Sequence, residues 1–152
     1  MAKQGLLRTG PALMVLGAAL FAIYAVVFFF RSFMGMGFEL GVDTLNGVTR
    51  DQLNAMNPAI YAYITHLHVA ISGFIAATAI AVGAIAWYSV RKGEWWGWWA
   101  AVIAPVLALA VALPLHYTGG FAVDWVAHLG PIYVATIIYV VGALLALRAM
   151  MA

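Results

Sequence analysis

Four histidines, His66, His68, His116 and His128, carry most of the reactive chemistry in an otherwise apolar sequence. Imidazole nitrogens bind haem iron, copper and zinc, and they also exchange protons near neutral pH. Ionisable side chains inside a membrane are energetically costly and usually mark a functional site. We therefore treat the four histidines as one candidate site.

The spacing of the first two histidines places them on different faces of a helix. Residues two apart are separated by about 200° on an α-helix, so His66 and His68 cannot face the same point. His68 shares its face with Ser72 and Ile75 and is expected to point into a different groove from His66. Small residues share the other face and would let a second helix or a flat cofactor approach closely. These residues are Ala70, Gly73, Ala77 and Ala84.

Two charged residues are candidates to support the histidines. Asp124 is a candidate N-cap of the fourth span and precedes His128 by four residues, so its carboxylate is also expected to orient the imidazole or to bind the metal itself. Arg31 follows a long apolar stretch and would pair with a haem propionate or another anion. Pro114 and Pro131 lie close to His116 and His128, which predicts bends in both helices near their histidines.

Composition places these residues in a membrane. The chain has 152 residues, of which 66% are hydrophobic and 8% are charged, whereas soluble domains carry about 25% charged residues. The net charge of +2 does not suit nucleic-acid binding, and the absence of cysteine excludes disulfides and thiolate metal sites. A membrane-spanning helix needs about 20 apolar residues, and four stretches qualify. They cover approximately residues 6–33, 58–90, 95–117 and 124–148.

The four stretches predict one domain over residues 1–152, an all-α bundle of four transmembrane helices in the cell membrane. Basic residues concentrate on the cytoplasmic side of membrane proteins. Both termini are therefore expected inside, because this orientation puts five of the seven basic residues there, namely Lys3, Arg8, Arg91, Lys92 and Arg148. All four histidines then fall in the outer half, and most of the acidic residues fall outside, namely Glu39, Asp43, Asp51 and Asp124.

The outer loop, residues 34–57, contains a capping pattern. Thr49 is followed three residues later by Gln52, which predicts a short helix near Thr49–Met56. Asn57 and Pro58 then resemble the cap and first residue of the second span. We expect this loop to pack over the outer mouth of the bundle.

Two kinds of redox cofactor fit the histidines. Haem b would take one axial ligand from His66 and the other from His116 or His128, with one haem per protomer at most. Copper, or zinc, would be bound by the four histidines with Asp124 as ligand or supporting carboxylate. Thioethers on the same side would favour copper(I), namely those of Met34, Met36 and Met56. Either cofactor indicates electron transfer or part of a membrane oxidoreductase, acting with a larger membrane redox complex or as a homo-oligomer.

Two further interpretations also fit the sequence. Because one is an enzyme and the other is not, the sequence does not decide whether the chain is an enzyme. The chain would be an accessory subunit of a larger membrane complex, with no chemistry of its own. Alternatively, it would be a small enzyme acting on a lipid or quinone that enters from the bilayer, with histidine and aspartate as acid and base.

Overall fold

The computed structural model describes residues 2–34, 45, 47–120 and 122–152, and these residues form helices joined by short turns. The long helices are α1 (Ala2–Phe33), α3 (Pro58–Tyr88), α4 (Trp95–Ala112) and α5 (Gly130–Met151). The short helix α2 (Arg50–Met56) precedes α3. Short helical turns also occur, namely 3₁₀ turns at Val90–Lys92 and Pro114–Tyr117 and a π-helix at Trp125–Leu129.

Four segments are long and apolar enough to cross a membrane. They are Lys3–Phe33, Pro58–Lys92, Trp95–Tyr117 and Trp125–Met151. The prediction of an all-helical chain with four membrane-length apolar helices is therefore confirmed for the described residues. The orientation of the four helices stays a prediction.

Helix α1 packs against both α3 and α5, and glycines allow its close approach to α5. A Cβ atom on Gly142 would lie 2.5 Å from the carbonyl oxygen of Gly10 and 2.7 Å from the amide nitrogen of Met14. Helices in membranes associate through such small residues, which let backbones come together. The main core forms around this crossing and contains, among others, Met14, Ala18, Val82, Ala86, Ala143 and Ala146.

Helix α4 is less buried than the other three long helices. Two side chains connect it to α5 by hydrogen bonds to backbone carbonyls. Trp98 Nε1 donates to the oxygen of Ala143 at 3.0 Å, and Tyr139 Oη donates to the oxygen of Ala101 at 2.9 Å. Both bonds involve the first seven residues of α4.

The segment before α3 has the capping interactions that its sequence encodes. Gln52 N donates to Thr49 Oγ1 at 3.2 Å, and Thr49 N donates to Gln52 Oε1 at 2.8 Å. Asn57 Oδ1 accepts from Ala59 N at 3.0 Å and so caps α3. Part of the predicted outer loop, including Met36, Glu39 and Asp43, lies outside the described residues.

The helices are irregular beside His116 and His128. Helix α4 ends at Ala112, and Pro114 begins a 3₁₀ turn that carries His116. His128 lies in the π-helix, where Leu129 N donates to Asp124 O at 3.3 Å. Pro131 follows and has no N–H for the α-helical bond to Ala127, which favours a wider turn.

Candidate functional site

A hydrogen-bonded chain of three side chains lies near the end of the bundle where α1 ends and α3 begins, which we call the histidine end. Its centre is His128, which is only 6% exposed. His128 Nδ1 lies 3.1 Å from Tyr24 Oη, and His128 Nε2 lies 2.9 Å from His116 Nε2. His116 Nδ1 lies 3.0 Å from the carbonyl oxygen of Ala112. We call this arrangement the Tyr24–His128–His116 chain.

The last acceptor sets the direction of every hydrogen bond in the chain. A carbonyl oxygen only accepts, so His116 Nδ1 donates to Ala112. In a neutral His116 the Nε2 atom is then an acceptor, so His128 Nε2 must donate to it. The remaining nitrogen, His128 Nδ1, accepts from the hydroxyl of Tyr24. The neutral chain therefore donates in one direction, from Tyr24 toward Ala112.

Each member of the chain is positioned by a different element. Tyr24 lies on α1 and stacks near Phe28 with 6.0 Å between ring centroids, and both rings pack against Ile75 and Ile132. The π-helix holds His128 at the buried face of the last span. The rings of His116 and His128 are nearly parallel, at 22°, with centroids 5.0 Å apart.

Asp124 is the N-cap of the π-helix, as its position before the fourth span predicts. Its Oδ1 atom accepts from Val126 N at 2.9 Å and from Ala127 N at 2.7 Å, so the carboxylate caps the π-helix. Both imidazole nitrogens of His128 face Tyr24 and His116 instead. The free amides at the start of a helix attract the carboxylate, and it supports the histidine by holding the backbone.

His66 and His68 diverge, as their spacing predicts. His68 is half-buried, and its ring centroid lies 5.1 Å from that of Phe28. His66 is exposed on the opposite side of α3 and makes no hydrogen bond or ring contact with the described part of the chain. The small-residue face beside it is open as well, since a Cβ on Gly73 would meet no atom within 4 Å.

Arg31 lies in the last turn of α1, at the histidine end, and is half-buried. A positive charge is favourable there because helix carbonyls concentrate negative potential at a C-terminus. The role of Arg31 toward a propionate or another anion stays a prediction.

The histidines do not converge into one metal site in this arrangement. Among the described residues, no three side chains of His, Cys, Asp or Glu are grouped to hold a metal. With metal–nitrogen bonds of about 2.0–2.1 Å, two imidazole nitrogens would be about 3.3 Å apart in a tetrahedral site and about 4 Å apart across an iron. The 2.9 Å between His116 and His128 matches a hydrogen bond instead. A metal would require these two rings to separate.

A cavity of about 250 Å³ adjoins both ends of the chain. Helices α1, α3, α4 and α5 line it, and Tyr24 and His116 belong to its largely apolar wall. Four of its lining residues are exposed, which opens it to the outside of the bundle between α3 and α4. They are Ile71, Phe74, Ala108 and Ala112. We call it the histidine cavity.

Sequence reasoning missed Tyr24, which belongs to the site. Its hydroxyl lies within the otherwise apolar stretch between Gly10 and Arg31, and this placement is the signal that could have indicated it. The chain matches no protein-family model, no curated protein and no solved structure.

Proposed function

We propose that this chain is a small membrane protein that binds an apolar, ring-bearing ligand from the bilayer and exchanges a proton with the ligand's hydroxyl group. The observation that carries the proposal is that Tyr24 and His116, the two ends of the chain, both line one apolar cavity. The cavity opens between two helices of membrane length, so a ligand can enter sideways from lipid. A quinol is the representative ligand, because it combines an apolar ring with acidic hydroxyls.

The direction of the hydrogen bonds determines whether the ligand donates or accepts at Tyr24. In the neutral chain the hydroxyl of Tyr24 donates to His128, so the Tyr24 oxygen accepts from the ligand. The ligand therefore donates, as a quinol hydroxyl does. A quinone carbonyl, which only accepts, would be bound less well in this protonation state.

Proton transfer along the chain balances without further reactants. The ligand O–H gives its proton to the Tyr24 oxygen while Tyr24 gives its own proton to His128 Nδ1. His128 in turn passes its Nε2 proton to His116, which becomes an imidazolium, and the ligand becomes an oxyanion. Each bond then reverses its direction, and His116 still donates to Ala112.

His116 is the better end of the chain for the positive charge. It is half-buried in a 3₁₀ turn at the histidine end, whereas His128 is buried. A charge costs less free energy where water reaches it. The relay would therefore carry a proton from the ligand to His116.

The volume of the cavity suits one substituted ring. Sites for drug-sized ligands usually occupy about 300–1,000 Å³, and a dry cavity of about 150 Å³ holds benzene. The histidine cavity, at about 250 Å³, lies between these sizes.

Binding of a short-tailed benzoquinol, measured by titration calorimetry on the detergent-purified protein, tests the proposal. Tyr24→Phe is expected to weaken binding about 2- to 13-fold, the equivalent of its one hydrogen bond to the ligand. His116→Gln removes the imidazole that orients His128 and, through it, the Tyr24 hydroxyl, so it is expected to weaken binding by less. Matched controls are Tyr63→Phe and His66→Gln, since both side chains are exposed and lie outside the cavity. No binding to the unmodified protein, or equal losses in the controls, would overturn the proposal.

A redox metal is the second candidate, and the facing Nε2 atoms of His116 and His128 favour it. Copper, zinc or haem iron would be held by these two rings after they separate, and copper or haem would supply electron transfer within a membrane oxidoreductase. Visible spectra of the oxidised and reduced protein, with elemental analysis, test this candidate. A Soret band or stoichiometric copper that His128→Gln removes and His66→Gln keeps would favour the metal over the quinol.

A further inference from the structure

A second apolar void lies beside the histidine cavity, between α4 and α5. It has a volume of about 320 Å³, and its accessible wall is entirely apolar. It extends along α4 from Leu109 to Trp98 and reaches Leu147 on α5. We call it the α4–α5 groove.

The groove and the histidine cavity adjoin each other and share lining residues. Phe21, Pro105, Leu109 and Tyr139 line both of them. A ligand with its ring in the cavity would therefore meet the groove at these four side chains. The groove offers no polar surface to hold a second head group, so it suits hydrocarbon alone.

The dimensions of the groove match half of a bilayer. The eleven-residue separation between Trp98 and Leu109 corresponds to about 16 Å along a helix. The hydrocarbon core of a bilayer is about 30 Å thick, so the groove runs about one leaflet away from the histidine end. Val106, Val140 and Leu144 on its flanks are exposed, which places the groove next to lipid chains.

We infer that the ligand carries a long hydrocarbon tail that lies in the α4–α5 groove, so its class is a tailed membrane lipid with a hydroxyl-bearing ring. This inference rests on the proposed function, because it extends the same ligand. The occupant is the tail of that ligand, since the groove continues from the cavity that holds its ring. The hydrogen bonds from Trp98 to Ala143 and from Tyr139 to Ala101 hold α4 against α5 at the far end of the groove.

Two benzoquinols with the same ring, one with a short and one with a long tail, test the inference by titration calorimetry. Val106→Trp fills the groove, and it should weaken binding of the long-tailed probe at least about fivefold while leaving the short-tailed probe unchanged. Leu144→Trp, on the opposite flank, should have the same effect. Val111→Trp is the matched control, because Val111 lies on α4, is exposed, and lines neither void.

The outcomes separate this inference from the proposed function. Binding of the short-tailed probe that depends on Tyr24 and His116, together with unchanged long-tailed binding in Val106→Trp, would overturn the tail inference alone. Equal weakening by Val106→Trp and Val111→Trp would also overturn it. If neither probe binds the unmodified protein, the proposed function is overturned with it. Retained short-tailed binding shows that each variant is folded.

Discussion

The Nε2 atoms of His116 and His128 lie 2.9 Å apart, so the two imidazoles share one hydrogen between them. A proton relay needs one of these atoms as donor and the other as acceptor. A metal bound by both Nε2 atoms needs the lone pair of each, so in both rings the hydrogen must be on Nδ1. The two candidate functions thus make opposite demands on the same two atoms, and His128 is the position at which they are best separated.

His128 should be important for stability, whereas His66 should not. His128→Ala would leave a cavity in a buried position and remove the hydrogen-bond partner of Tyr24 and His116. We expect it to lower the free energy of unfolding by about 2–4 kcal/mol. His66→Ala alters an exposed side chain and should change it by less than about 0.5 kcal/mol. Denaturant titration in detergent, followed by circular dichroism, measures both values, and similar losses would contradict the buried position of His128.

Asp124 should act through its oxygen atom rather than its charge. Asp124→Ala removes the acceptor for Val126 N and Ala127 N, and it should cost about 0.5–2 kcal/mol of stability. Asp124→Asn keeps a side-chain oxygen and should cost clearly less. The same unfolding titration compares the two variants. If asparagine is as harmful as alanine, the negative charge has a role beyond the cap.

The contact between α1 and α5 should tolerate no side chain at Gly142. A Cβ there would meet backbone atoms of Gly10 and Met14, which cannot rotate away, so the helices would have to separate. We expect Gly142→Ala to destabilise the protein by roughly 1–3 kcal/mol. Gly73→Ala is the control, because its Cβ would enter open space, and alanine there should be neutral or slightly stabilising. Thermal unfolding in detergent compares the two variants. A lower unfolding temperature for Gly73→Ala than for Gly142→Ala would contradict this packing of α1 against α5.

The orientation can be tested cleanly because the chain has no cysteine. Two single-cysteine variants, Thr118→Cys and Met151→Cys, serve as probes. Thr118 lies at the histidine end and Met151 at the end of α5, and both positions are exposed. With both termini inside, a membrane-impermeant maleimide should label Thr118→Cys on intact cells and Met151→Cys only after permeabilisation. The reverse pattern would invert the predicted topology.

Much of the helical framework follows from neighbouring residues. The apolar stretches predict the four long helices, and the Thr49–Gln52 spacing matches the cap of α2. The two-residue spacing of His66 and His68 implies their divergence, because helix geometry is local. Asp124 shows the limit of such reasoning. Its position before the fourth span predicts an N-cap, which the structure has. The four-residue spacing to His128 also allowed a contact with the imidazole, but the nitrogens of that ring face Tyr24 and His116.

The sequence by itself determined that four membrane-length helices form and that irregular backbone surrounds His116 and His128, since hydropathy and proline act on consecutive residues. Only the tertiary structure decided that Tyr24 joins two of the histidines, that His66 is left outside, and that an apolar cavity adjoins the chain. The physical reason is that contacts between helices depend on how each helix is rotated about its axis. That rotation is set by close crossings such as Gly10 on Gly142, between residues far apart in the sequence.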